Sequence, residues 1–139
     1  VRKYTNKIIS RLDKNDIVMV MSDVPNGKAI AKCYYIEEDN KYSLNQRICK
    51  IRVVNNDSKY IYYLINRNSY YLAFDSGVGQ TNLRKDEVLD CPLYIPKDVN
   101  EQTKIANFIS AIDEKIELVS NQIQETQEYK KGLLQQMFI

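Results

Sequence analysis

The chain has 139 residues, 44% hydrophobic and 27% charged, with a formal net charge of +2; this balance excludes an intrinsically disordered chain and fits one folded domain plus an appendage. It contains no His, and its three cysteines, Cys33, Cys49 and Cys91, form no CxxC pair, which excludes the usual zinc sites and every nucleophilic triad with an imidazole base. No apolar run approaches the roughly 18 residues of a membrane helix, and isolated cysteines predict buried thiols in a reducing cytoplasm.

The opening run, VRKYTNKIIS, has no signal-peptide core. Its start without Met reads as the middle of a domain and predicts an N-terminal truncation or a natural fragment. Asp13-Lys14-Asn15-Asp16 is a turn cluster, followed by the apolar run Ile17–Met21, a buried strand. Pro25-Asn26-Gly27 is a second turn, and residues 28–36 read as the next strand. Glu37–Lys41 is a solvated loop. Arg47–Val54 alternates, with Cys49, Ile51 and Val53 on one face and Lys50 and Arg52 on the other, as in a half-buried antiparallel strand. Asn55–Ser58 breaks the strand and offers helix caps. Ile61, Leu64 and Ile65 then place an amphipathic helix over Tyr60–Arg67.

Ser76-Gly77-Val78-Gly79 is the most flexible stretch by composition, Lys85–Leu89 a turn of helix, and Cys91–Ile95 a last short strand between Pro92 and Pro96. Either Asp98 or Asn100 caps a long C-terminal helix. From there to the end, Ile105, Ile109, Ile112, Ile116, Val119 and Ile123 recur in steps of four and three, with Leu133 and Met137 resuming the series. This is a heptad seam. Thr126 and Lys130 interrupt it, setting register or oligomeric state, unless the seam drifts onto Tyr129 and Leu134. So long a helix needs a partner helix to cover its stripe. The fold class is α+β: a small, mostly antiparallel β domain with short helices over residues 1–96, then one long coiled-coil helix over residues 97–139.

Charge follows this division. Residues 1–96 hold 15 Lys and Arg against 11 Asp and Glu, a net of +4, and residues 97–139 hold 5 against 7, a net of −2. A mildly basic globule permits nucleic-acid binding without demanding it. Eleven Tyr and no Trp suit a half-wet binding surface, or reflect AT-rich coding, which also raises Lys, Asn and Ile.

Enzymatic motifs are missing. No GxGxxG or GxxxxGK[ST] loop is present, and no Pro-Pro dipeptide of the kind found in the catalytic loop of DNA amino-methyltransferases. Glu128-Tyr129-Lys130 imitates half of a nuclease site but lies in the helix, where Asp113, Glu114 and Glu117 read as a solvated face rather than a metal site.

Pro96, Glu101-Gln102, Ile105-Ala106, Phe108-Ile109, Ile112-Asp113, Ile116 and the run Lys130-Lys131-Gly132-Leu133-Leu134-Gln135 with Met137-Phe138 together resemble the conserved region of type I restriction–modification specificity subunits. Asn45-Gln46-Arg47, the helix Tyr60–Asn66 and the run Ser76–Leu83 resemble, more loosely, the second half of a target recognition domain of that family, whose usual Lys-Leu-Gly-like entry is missing here. The resemblance implies a non-catalytic subunit with no cofactor of its own that reads one half of a bipartite site in double-stranded DNA. Its long helix would act as spacer and as docking strut for the methyltransferase subunit, which carries S-adenosylmethionine, with the nuclease–translocase subunit joining the complex. One domain with one helix matches the C-terminal quarter to half of such a subunit, and two copies paired through Ile105, Ile109, Ile112, Ile116, Val119, Ile123, Leu133 and Met137 would form a homodimer that mimics the whole.

Within that expectation, base reading needs side chains with paired donors and acceptors: Arg for guanine, Asn and Gln for adenine. Gln80, Asn82 and Arg84 stand beside Ser76 and Gly77, where the backbone can approach phosphate; the alternative is a Gly turn with surface polar groups. Arg47 enters a strand, where it either reads DNA or fixes a loop. Lys28, Lys32, Arg67 and Tyr70 are phosphate candidates or ordinary surface residues. A second possibility stays open: a truncated assembly module that docks the methyltransferase subunit without reading DNA.

Overall fold

The computed structural model describes residues 10–24 and 28–138; the expected turn at Pro25-Asn26-Gly27 lies outside them. The architecture is α+β, as expected, with small antiparallel sheets, short helices and one long C-terminal helix. Two compact units divide the chain, Val1–Thr103 and Lys104–Ile139.

Strand β1 (Ile17–Val20) is the centre of the first sheet. β2 (Ser22–Asp23) follows, then β3 (Cys33–Tyr35) and β4 (Ile48–Ile51). The order is β3-β1-β4, with Met19 paired to Cys33 on one side and Cys49 on the other. The alternation in IVMV decides which face is inside: Ile17 and Met19 are fully buried, while Val18 and Val20 are half-covered. The Asp13–Asp16 turn forms as expected, with Asn15 at φ 70° and the Asp13 amide donating to Asp16 Oδ2 at 2.9 Å. Asp16 is 1% exposed, and a buried carboxylate needs a partner. Arg52, on the outward face beyond β4, supplies it through Nε at 2.8 Å and Nη2 at 3.0 Å.

Two expected strands are shorter than their sequences suggested. In residues 28–36 only Cys33–Tyr35 joins the sheet. The chain before it turns, with Ala31 at φ 54° and the Lys32 amide donating to the Ala29 carbonyl at 3.0 Å. Ile30 and Ala31 are therefore buried from a loop rather than a strand. In Arg47–Val54 the ladder covers Ile48–Ile51, because Arg47 takes φ 68° and starts the strand late. Inward–outward alternation still continues to Val53.

Helix α1 (Ser58–Ile65) starts two residues earlier than expected, because the Asp57 carboxylate accepts the Tyr60 amide at 2.7 Å and caps it. Tyr60, Ile61 and Ile65 face the core. Helix α2 (Ser69–Leu72), a single turn capped by Asn68, had no clear periodic signal; it buries Tyr71, whose hydroxyl donates to the Val88 carbonyl at 3.1 Å. β5 (Thr81–Asn82) and α3 (Lys85–Leu89) come next. The strand expected at Cys91–Ile95 does not form: Pro92 and Pro96 supply no N–H to a ladder, and no ladder reaches the segment among the described residues.

Helix α4 (Val99–Met137) has 39 residues, about 58 Å at 1.5 Å per residue. Asp98 is its cap: its Oδ1 accepts the Asn100 amide at 2.9 Å, and Asn100 falls inside the first turn. Among the described residues no helix is long and apolar enough to cross a membrane.

Candidate nucleic-acid interface

Of the residues expected to read DNA, Gln80, Asn82 and Arg84 stand on or beside a ribbon that the sequence did not announce. β2 and β5 pair antiparallel, with Ser22 opposite Asn82 and Asp23 opposite Thr81. Each strand contributes only two residues, so the ribbon depends on its anchors. Thr81 and Leu83 are buried, and the Leu83 amide donates to the Met21 carbonyl at 2.7 Å. Alternation then puts Gln80, Asn82 and Arg84 outward, all exposed. Met21 also donates its own amide to the Arg47 carbonyl at 2.9 Å. Through this one residue the entry to β4 is tied to the exit of β5, and the exposed Arg47 joins the neighbourhood.

Two loops lie at the same end of the ribbon, one leaving β2 and one entering β5. Asp23 holds the first: its Oδ1 accepts the Val24 amide at 2.8 Å, and its Oδ2 accepts the Ala29 and Ile30 amides at 2.6 and 3.0 Å. The Ala29 bond, aided by those of Ile30 and Val24 and by the nearby Arg67 charge, outweighs burial and holds the carboxyl below its ordinary value. Exposed Lys28 rides on this loop. Arg67 braces it from below, with Nη1 donating to the Ile30 carbonyl at 2.9 Å and its own amide to Ala31 at 2.9 Å. Asp75 holds the second loop, accepting the Gly77 amide at 3.0 Å and the Thr81 hydroxyl at 2.9 Å. Gly77 and Gly79 take φ of 70° and 79°, the left-handed region that a side chain resists. Ser76 closes the turn by donating to the Val78 carbonyl at 3.1 Å.

The polar side chains on the ribbon are ordered among themselves. Gln80 Nε2 donates to Ser22 Oγ at 2.6 Å and points to Asn82 Oδ1 at 3.4 Å. Arg84 gives Nε and Nη2 to Glu87 Oε1 at 3.0 and 2.8 Å, while Glu87 Oε2 accepts the Arg84 amide at 2.7 Å. Its side chain is nonetheless 73% exposed. Tyr70 packs edge-on against Tyr71 and Phe74, with centroids 5.4 and 5.5 Å away. Burial, reinforced by the charges of Asp90 and its neighbours, pushes its hydroxyl above the ordinary value. Lys32 is exposed, with its carbonyl accepting the Val20 amide at 3.0 Å.

Sequence reasoning singled out Gln80, Asn82 and Arg84 as base-reading candidates and passed over Ser22, Asp23 and Asp75, which hold the ribbon and its loops in shape. An Asp just before a Pro-Asn-Gly turn and another two residues before a Gly were the available signals, since short acidic side chains close such turns on their own backbone.

Burial pushes the Cys33 thiol up to about 12, and the nearby Cys49 adds to this; Cys49 is raised in the same way, so neither is a ready nucleophile. Among the described residues no group of His, Cys, Asp and Glu could hold a metal ion. In α4 the eight seam positions lie on one helix. Ile112, Ile116, Val119, Ile123, Leu133 and Met137 are exposed, and Phe108, Ala111 and Lys115 widen the stripe into a shallow apolar groove. Ser120 and Thr126 turn their hydroxyls back onto the Ile116 and Gln122 carbonyls at 2.8 and 2.7 Å, which hides their polarity within the helix.

No solved structure matches the chain. The family model of the type I restriction modification DNA specificity domain matches residues 2–128, and the chain belongs to that family.

Proposed function

We propose that the unit Val1–Thr103 reads bases of one half of a bipartite duplex site through the end of the β2–β5 ribbon. In this reading Gln80 and Asn82 address base edges. Arg84, Arg47 and Lys28 supply positive charge to base or phosphate, and the turn at Ser76 and Gly77 lets the backbone approach phosphate. Arg67 braces the loop that carries Lys28, and Tyr70 is a further phosphate candidate. The observation that carries the reading is the outward alternation of Gln80, Asn82 and Arg84 on a ribbon anchored by buried Thr81 and Leu83. Paired amide donors and acceptors on a rigid strand match the code of the major groove.

The exposed seam of α4 supports a docking role. It binds the methyltransferase subunit, with the nuclease–translocase subunit joining that complex, or a second copy of this chain. A symmetric pair would read a two-fold symmetric site. The chain contributes no catalysis of its own and acts in the cytoplasm, where its DNA is.

The test is binding of the methyltransferase complex to a randomised duplex library at several salt concentrations. Sequence-dependent binding that Gln80→Ala and Asn82→Ala flatten supports the reading. One observation favours the alternative of a pure assembly module: Arg67 and Arg84 are both engaged within the protein. Complex formation that is intact, with a DNA preference indifferent to these substitutions, would establish that alternative.

A further inference from the structure

The hydroxyl of Ser22 meets the amide of Gln80 across the ribbon at 2.6 Å, although the two residues are 58 positions apart in the chain. Ser22 itself is fixed by its strand, since β2 pairs in register with β5 and Ser22 stands opposite Asn82. The Gln80 amide turns its nitrogen inward. Nε2 lies between two oxygens, Ser22 Oγ and Asn82 Oδ1, the second at 3.4 Å. A carbonyl oxygen in that place would face the oxygen of Asn82. The Asn82 contact is longer than a good N–H···O bond, which lies near 2.7–3.2 Å, so the second N–H of Gln80 is weakly held. Its Oε1 accepts no bond among the described residues. One N–H and one carbonyl oxygen thus remain for an outside partner, and that pair matches the N7 acceptor and N6 donor of adenine in the major groove.

We infer that Ser22 is a positioning residue that holds the Gln80 side chain on the ribbon where its amide can read adenine. The inference rests on the proposed DNA reading and adds to it a base identity and the residue that enforces it. An exposed glutamine otherwise samples several rotamers and both amide orientations. A neighbouring hydroxyl that restricts those rotamers sharpens the choice of base at one position and leaves the rest of the interface alone.

The experiment compares wild type, Ser22→Ala, Ser22→Thr and Gln80→Ala, each assembled with the methyltransferase subunit, for preference on a randomised duplex library. One adenine position should lose its preference in Gln80→Ala. Ser22→Ala should weaken preference at that position by about threefold to tenfold, the scale expected for a freed side chain, with other positions and non-specific affinity unchanged. Ser22→Thr keeps the hydroxyl and should keep the preference. A Ser22→Ala profile equal to wild type at the position that Gln80→Ala erases overturns this inference and leaves the DNA reading standing. So does an equal loss at all positions, which would mark a folding defect, or a Gln80-dependent base other than adenine. Absence of any sequence preference in the wild-type complex overturns both.

Discussion

Gln102 Oε1 accepts the Asp57 amide at 2.8 Å, and this one bond ties the first turn of α4 to the cap of α1. The rest of the amide is used as fully. Nε2 donates to Asn56 Oδ1 at 2.9 Å and to the Pro96 carbonyl at 2.8 Å, and the side chain is only 1% exposed. Gln102→Ala leaves the Asp57 amide and two acceptors without a partner in a space that admits little water. The expected loss is about 2–3 kcal/mol, the cost of stranding buried polar groups. Gln102→Glu should be nearly as damaging at neutral pH, because an oxygen would replace the nitrogen that faces Asn56 Oδ1 and the Pro96 carbonyl. Denaturant unfolding of the two variants measures this, and losses below about 1 kcal/mol would refute the account.

Asp57 serves two helices at once. Its Oδ1 caps α1 through the Tyr60 amide at 2.7 Å, and its Oδ2 accepts the Thr103 hydroxyl at 2.8 Å. Asp57→Ala removes both and should cost about 1–2 kcal/mol, the range for a lost N-cap. Thr103→Val removes the second bond, together with the hydroxyl's contact to the Val99 carbonyl at 3.0 Å. A double-mutant cycle should find the pair non-additive, because the Thr103 bond cannot be lost twice; strict additivity would show that the hydroxyl contributes nothing through Asp57.

These two joints explain what could be read in advance. Helix α4 was legible because its signal is local: heptad spacing, an Asp cap and a family ending within about 45 residues. The Asp13–Asp16 turn and α1 were legible for the same reason. The β2–β5 ribbon was not. Ser-Asp and Thr-Asn carry no apolar alternation, and what makes them strands is Met21 receiving Leu83 from far along the chain. Gln102 appeared as a motif residue, but its partners Asp57, Asn56 and Pro96 are assembled only by folding. The segment Cys91–Ile95 misled in the opposite direction: its apolar residues resemble a strand, while two prolines withhold the N–H groups a strand needs.

Acid should weaken the fold through Asp16. Burial pushes its carboxyl up, but the Arg52 hydrogen bond, the Asp13 amide and the charges of Arg52 and Lys50 together hold it below the ordinary 3.8. A carboxyl whose pKa is depressed on folding contributes stability that is fully present above the unfolded value and is lost as pH falls through the folded one. Unfolding midpoints should therefore decline below about pH 4, with Asp23, depressed chiefly by the Ala29 amide, acting in the same direction. Asp16→Asn should be less stable than wild type at neutral pH and show a shallower decline in acid. An identical acid slope in the two proteins would remove Asp16 from the explanation.

The seam of α4 predicts a variant that separates assembly from folding. Ile116 is 58% exposed, so Ile116→Glu should leave the unfolding midpoint almost unchanged. A partner helix that buries this position would lose the isoleucine's burial energy of about 1.5–3 kcal/mol and face a charge as well. Association with the methyltransferase subunit or with a second copy should weaken at least about tenfold. Sedimentation and co-purification measure it; undiminished association would place the docking surface elsewhere.

Arg84 tests whether the ribbon meets phosphate or a base. Its guanidinium is shared with Glu87, and the Glu87 hydrogen bond, with the carboxylate charges of Glu87 and Asp86, raises its pKa, so it stays charged at every working pH. A phosphate contact contributes to counterion release, and Arg84→Ala should then reduce the salt slope of log K by about one while weakening all DNA sequences alike. A base contact instead relaxes the choice of guanine at one position. The proximity of Glu87 favours the phosphate role, because a guanidinium held in a fork by one carboxylate keeps only part of its donor edge for bidentate pairing. Glu87→Gln should accordingly strengthen non-specific binding, by removing a negative charge that competes with phosphate. If Glu87→Gln leaves non-specific affinity unchanged and Arg84→Ala leaves the salt slope unchanged, Arg84 belongs to the capping of α3 alone.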